Sequence, residues 1–329
     1  MLNRRQFLAT TASAAAAGVV PSVAQAAYLD RPLRILVGYA AGGGVDIVAR
    51  LLSEPMKAAL NQTVIVENRT GASAMIASNT VAKADPDGYT WLMAASGEVA
   101  INQFLFKDKM TYDASRELVP VALVGIVPCV VVVAETTPVH NPKELIAYAK
   151  ANVGKLSFSS SGVGNPQQLA GELMNSMAGI KVLHVPYRGS APAVTDVATG
   201  TVTMSFSSLA AALPLIKAGK LRAVAVTSKE RMPQLPDVAP LSEGAPGLVN
   251  YELLNWFGMF GTAATPPEIV ERMNGIVNTA LKDPGLADKL MVQGIVPKPM
   301  NVAQYKSFVA SETEKFGKIV EQADIKLSN

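Results

Sequence analysis

Two short stretches hold the residues best suited to chemistry. In the first, an apolar run over 33–38 breaks into Gly42, Gly43 and Gly44, with Asp46 and Arg50 close behind. In the second, Ser159, Ser160 and Ser161 lead into Gly162 and Gly164, and Asn165-Pro166 opens a helix-like pattern. Asn is a favoured N-cap and Pro suits the first helical turn, so this stretch reads as a strand-to-helix turn, like the first. The glycines have two readings. They expose backbone N–H groups at the positive end of a helix dipole, which favours an anion, or they only permit tight βα turns. On the first reading, a pair of such turns facing each other across a cleft suits a ligand with a negative group at each end. Asp46 and Arg50 stand four apart, as a supporting pair on one helix face. Asp46 would repel a carboxylate unless it holds the loop or meets a cationic group.

Other chemistries fit less well. Neither stretch has the Walker Lys-Ser/Thr or the full Gly-x-Gly-x-x-Gly fingerprint. His140 and His184 are the only histidines and have no metal-ligand spacing, so neither a metal nor a cofactor is expected. Within an apolar run, His184 reads as a packed strand residue. The serines at 159–161 could serve a secreted α/β hydrolase, the competing reading, but no Gly-x-Ser-x-Gly elbow surrounds them and no catalytic residue is assigned. Cys129 is the sole cysteine, set among Pro128 and Val130 to Val133, which indicates a buried, inert thiol.

The elements that must position these stretches alternate almost throughout. Strand-like runs at 33–38, 63–67, 89–94, 155–159, 182–185, 202–206 and 221–226 interleave with helix-like patterns at 45–60, 74–83, 143–151, 166–177, 191–199 and 209–218. This rhythm predicts βαβ units around mostly parallel sheets, an α/β fold. The long apolar stretch from 119 and the stretch "NYELLNWFGMFGTAATPPEIV" suit two chain crossings between domains. Helices follow at 268–281, 286–293 and 302–322, the last with Tyr305, Phe308, Phe316 and Ile319 on one face. The division this predicts is a discontinuous first domain, 27–127 with 251–329, and an inserted second, 128–250. Two crossings over a cleft make a hinged clamshell.

The first 26 residues read as an export signal: Arg4 and Arg5, an uncharged Ala-rich stretch, then Ala24-Gln25-Ala26. Arg4-Arg5-Gln6-Phe7-Leu8 resembles a twin-arginine motif, the competing reading being an ordinary Sec signal that carries two arginines, and either way the expected compartment is the periplasm. Removing those two arginines takes the basic count from 29 to 27, against 26 acids, which leaves no basic footprint for nucleic acid. The uncharged run at 119–134 is short for a membrane span and holds two prolines.

Several segments together resemble the receptor proteins of tripartite tricarboxylate transporters, the Bug-type solute-binding family. They are "GYAAGGGVDIVARLL", "VENRTGASAMIAS", "SSSGVGNPQQLAGEL", "VPYRGSAPAVTDVATGTV", "AVTSKERMPQLPDVAPLSEGA" and "NWFGMFGTAATPPEIVERMN". The resemblance implies a type II periplasmic-binding-protein fold, two α/β domains with mixed, mostly parallel sheets joined by two crossover strands. It implies a small carboxylate gripped by the two loops, largely through backbone groups and bridging waters; the pair of helix starts points to a dicarboxylate, and a monomer is expected. Its partners would be the membrane subunits of such a transporter, or a sensor kinase. Carried over by position, the ligand contacts are Gly43, Gly44 and Asp46 in the first loop, and Ser160, Ser161, Gly162, Gly164 and Asn165 in the second. Ser96 fits another cleft position, followed by Tyr187, Arg188, Ser207 and Ser208. Two departures stand out: Ala40-Ala41-Gly42-Gly43 where the family often has Pro-Pro-Gly-Gly, and Asn165-Pro166-Gln167-Gln168 where Thr and His are common.

Overall fold

The computed structural model describes residues 30–323 and 325, so the export signal lies outside the described residues. The chain opens with β1 (Leu33–Val37), α1 (Gly44–Leu60), β2 (Val64–Asn68), α2 (Met75–Ala82) and β3 (Thr90–Ala95). In α1, Val45, Val48, Ala49, Leu52, Met56 and Leu60 recur at helical spacing and all are buried, so one face packs against the sheet. Short helical turns fill 97–117, beginning with a π turn at Gly97–Ile101. The expected long strand follows as β4 (Leu118–Ala134).

The second run comprises α3 (Pro142–Ala151), β5 (Ser157–Ser160), α4 (Pro166–Ala178), β6 (Leu183–Pro186), α5 (Ser190–Ala198), β7 (Met204–Ser208), α6 (Leu209–Lys217) and β8 (Leu221–Val226). As Asn165-Pro166 predicts, α4 has Pro166 in its first turn, and the Asn165 side chain accepts from Gln168 N–H. The chain ends with β9 (Leu254–Thr262), α7 (Pro267–Leu281), α8 (Pro284–Val292), the two-residue β10 (Val296–Pro297) and α9 (Val302–Gln322).

Hydrogen bonds join the strands in the order β2-β1-β3-β9-β4-β7-β5-β6, with β8 and β10 also on β4. The triplets β2-β1-β3 and β7-β5-β6 are parallel, as βαβ units require. Antiparallel pairs gather on β4 and β9, which makes the sheet mixed. The partners of β4 change along its length: Leu118 to Pro128 lie against β9, and Cys129 onward against β7. Among the described residues, β4 pairs with β9 of the closing run and with β7 and β8 of the second. The second crossing arrives as irregular chain, and β9 begins at Leu254, opposite Pro128.

Trp91, Trp256, Tyr251 and Tyr305 are among the largest fully buried side chains. Tyr305, from α9, meets Trp256 of β9 edge-on at 6.2 Å, so the last helix is seated on the strand that leads back from the second crossing. This seating needs Gly258, where a Cβ would lie 1.9 Å from the Tyr305 hydroxyl and 3.0 Å from the Ala122 carbonyl. Gly258→Ala is therefore expected to destabilise the protein by about 1–3 kcal/mol in urea unfolding, as overpacked cores do. A loss within experimental error would mean that the α9 seat is loose.

Candidate functional site

The first loop, 38–43, joins β1 to α1, and its shape is set by Asp46. This carboxylate is 2% exposed. It accepts from Gly42 N–H at 2.9 Å, Arg50 Nε at 3.0 Å and Asn68 Nδ2 at 2.8 Å. Asn68 Nδ2 also donates to the Tyr39 carbonyl at 3.0 Å. Burial pushes the Asp46 pKa up, but Arg50, Gly42 N–H and Asn68 outweigh it and hold the group below its ordinary value. Asp46, expected as a ligand contact, thus spends its oxygens within the loop. Gly43 N–H bonds to the Ala40 carbonyl. No side chain caps α1, and the N–H groups of Gly44, Val45 and Asp46 have no partner among the described residues. Gly44 faces the Phe257 ring, 3.1 Å from where a Cβ would stand.

The second loop, 161–165, joins β5 to α4 and is satisfied in the same way. Ser161 N–H donates to Gln167 Oε1 at 2.7 Å, and Gly164 N–H to Gln168 Oε1 at 2.8 Å. Gly162 N–H reaches Ser160 Oγ at 3.2 Å, and Asn165 Nδ2 donates to Ser161 Oγ at 2.9 Å. The glutamines that depart from the family pattern therefore bind the loop's own backbone. Sequence reasoning noted them without this role; amides two and three residues past an N-cap were the signal.

His184 is a satisfied strand histidine, as expected. It stacks on Phe158 at 4.9 Å, and its Nε2 lies 2.7 Å from Ser160 Oγ. The Ser160 hydroxyl proton points to the Gly162 carbonyl at 2.8 Å, so the imidazole is the donor. Burial lowers the His184 pKa to about 4, which keeps the ring neutral. The arrangement is the reverse of a nucleophile–base pair, in which the histidine must accept the hydroxyl proton. Burial likewise pushes the Cys129 thiol up to about 12, as an inert thiol requires.

Both loops border one element, the π turn that begins at Gly97. A Cβ on Gly97 would lie 3.3 Å from the Gly164 carbonyl, 3.5 Å from the Tyr39 hydroxyl and 3.8 Å from Asn165 Cα. Gly164 has φ 76°, and a Cβ there would strike Phe106 at 2.6 Å. Ser96, at the head of this stretch, is buried and donates to Asn255 Oδ1 at 3.0 Å. Tyr187 N–H and Gly189 N–H bond to the carbonyls of Ser160 and Ser161, so 187–189 borders the second loop. The Tyr187 hydroxyl itself is bonded to Asp196. Arg188 is exposed, with no partner among the described residues. Ser207 and Ser208 pair with Val130 and Cys129 of β4, and among the described residues no hydrogen bond ties them to either loop.

Glu98 escaped sequence reasoning, because one acid in an apolar run carries no periodic signal. It is 1% exposed; Oε2 accepts from the Tyr39 hydroxyl at 2.6 Å and Oε1 from Ala95 N–H at 2.9 Å. It thereby fixes Tyr39 of the first loop against the π turn that meets the second.

A model of the family described as the tripartite tricarboxylate transporter family receptor matches residues 48–325. The chain belongs to this family. A protein from the tcbD–tcbE intergenic region of Pseudomonas sp. strain P51 is 37% identical over 97% of this chain and 94% of its own length. Protein BugT of Bordetella pertussis is 31% identical over 95% of both. Among solved structures, R. palustris Rpa4515 with adipate is 32% identical with TM-score 0.85, over 90% of this chain and 98% of its own. MatC of Rhodopseudomonas palustris with bound malate is 28% identical with TM-score 0.80, over 88% and 99%. The α/β binding-protein fold and the family expected from the sequence are both shown.

Burial raises the Glu98 pKa from 4.5 to about 7, against hydrogen bonds from Tyr39 and Ala95 that lower it. The folded protein then keeps a proton that the unfolded chain releases, so this group's contribution to stability falls as pH rises from about 4.5 to 7 and is level above. The loss amounts to about 3 kcal/mol. Glu98→Gln is expected to remove it, raising stability at pH 8 relative to the parent but not at pH 4. An unchanged pH profile of unfolding would show that Glu98 ionises freely in the fold.

Proposed function

We propose that this chain is a periplasmic receptor that captures a small dicarboxylate between two hinged lobes, 27–127 with 251–329 and 128–250, for a tripartite tricarboxylate-type transporter. The observation that carries this reading is the contact of Gly97 with Gly164 and Asn165. The Tyr39 hydroxyl of the first loop stands beside the same glycine, so the π turn is bordered by two strand-to-helix loops from different halves of the chain. The first loop settles the N–H groups of Gly42 and Gly43 and the second those of Ser161, Gly162 and Gly164, while the helix starts leave N–H groups without a partner among the described residues: Gly44, Val45 and Asp46 on one side, Asn165 and Gln167 on the other. Such donors favour an anion at each end. The relatives' adipate and malate are both dicarboxylates, which agrees with this pattern.

The hydrolase reading finds no support in the second loop. Ser160 is buried and receives a hydrogen bond from its histidine, and Ser161 accepts one from Asn165. The chain is read as a binder without turnover. The sequence signal at 1–26 supports export, by the twin-arginine route.

The test is a melting screen of mono-, di- and tricarboxylates beside their amides, after unfolding and refolding to strip any copurified ligand. A dicarboxylate at a hundred times its Kd is expected to stabilise the fold by about 2.7 kcal/mol. Its diamide is expected to leave the melt unchanged. Equal shifts from acid and amide would sink the anion clamp.

A further inference from the structure

The turn before α2 has a costly backbone. Ala72, Ser73 and Ala74 have φ 47°, 52° and 67°, three consecutive left-handed residues with no glycine among them. A non-glycine residue in this region is strained and persists only where its surroundings fix it. Here the surroundings include both glycine loops. On one side Ala74 fills the space left by Gly38, at the mouth of the first loop, where a Cβ would stand 2.3 Å from that of Ala74. On the other, Ser73 Oγ donates to the Val163 carbonyl of the second loop at 3.2 Å. Asn102 Nδ2 donates to the Ser73 carbonyl at 3.0 Å and ties the turn to the stretch that meets Gly164.

These ties differ in kind. The contacts of Ala74 with Gly38 and of Ser73 with Asn102 join segments of one half of the chain. The Ser73–Val163 bond joins the two halves, across 90 residues of sequence. If the halves hinge apart, the first two survive and the third breaks. The left-handed turn, held from within its own half, keeps the hydroxyl in place for the returning loop.

We propose that Ser73 is a positioning residue for ligand capture, whose hydroxyl latches the second glycine loop when the lobes close. The latch rests on the clamshell reading above. It touches no ligand and acts on release: the bound state opens more slowly because one more hydrogen bond must break.

The test compares Ser73→Ala and Ser73→Gly with the parent protein. A neutral hydrogen bond of this kind corresponds to about a threefold to tenfold change in rate. With adipate or malate as probe, both variants are expected to release the acid that much faster, with association within about twofold. Ser73→Gly also relaxes the φ of 52° and is expected to melt higher than Ser73→Ala while releasing ligand equally fast. In the ligand-free proteins, amide exchange across 161–165 is expected to quicken in both variants. Unchanged release, or parental release restored by the glycine, overturns the latch. So does unchanged exchange across 161–165. Should the parent take up neither acid, the exchange difference alone decides the latch, and the failure belongs to the proposed function.

Discussion

Each of the two glycine loops is held by buried polar side chains of the helix that follows it, because a buried polar group left unpaired costs about 1–3 kcal/mol. That constraint governs the site. Asp46 closes the first loop by holding Gly42, Arg50 and Asn68 on one buried carboxylate. Gln167 and Gln168 close the second by turning their carbonyl ends back onto Ser161 and Gly164. At the two helix starts the N–H groups of Gly44, Val45, Asn165 and Gln167 stay open among the described residues. On the proposed reading, the side chains nearest the chemistry build the donors, and the backbone grips the ligand.

The scaffold supports this from the centre of the sheet. At the point where β4 changes partners, Cys129 N–H donates to Thr227 Oγ1 at 2.8 Å, and Thr227 N–H returns to the Cys129 carbonyl at 3.0 Å. Leu253 N–H bonds to the Thr227 carbonyl, also at 3.0 Å. Three chain segments are therefore pinned together where the sequence crosses from one half to the other. A hinge there would move the loops, which lie at strand ends, further than it moves the crossing itself.

Much of this was legible in the sequence because it is periodic or local. Helix α1 was readable from apolar residues every three to four positions, and the start of α4 from Asn165-Pro166. The Asp46–Arg50 pair followed from spacing alone. The length of β4 was readable too, since few alternatives accommodate so many consecutive apolar residues with prolines among them. What stayed hidden depends on non-local pairing. Asn68 reaches Asp46 from the end of another strand, and Glu98 meets Tyr39 across 59 residues. The left-handed turn at 72–74 had no signature, because Ala-Ser-Ala is not a sequence that favours positive φ. His184 was readable as a satisfied core residue from its apolar neighbours, but its partner Ser160 is set by the non-local pairing of β5 with β6.

The most direct measurement is a crystal structure of the protein with a bound dicarboxylate. The expected result has one carboxylate within hydrogen-bond distance of the Gly44 and Val45 N–H groups, and the other, directly or through water, at the start of α4 near Asn165. Asp46, Gln167 and Gln168 should keep their present partners. An acid held instead by side-chain cations, or seated away from the contact of Gly97 with Gly164, would contradict a clamp made of loop backbones.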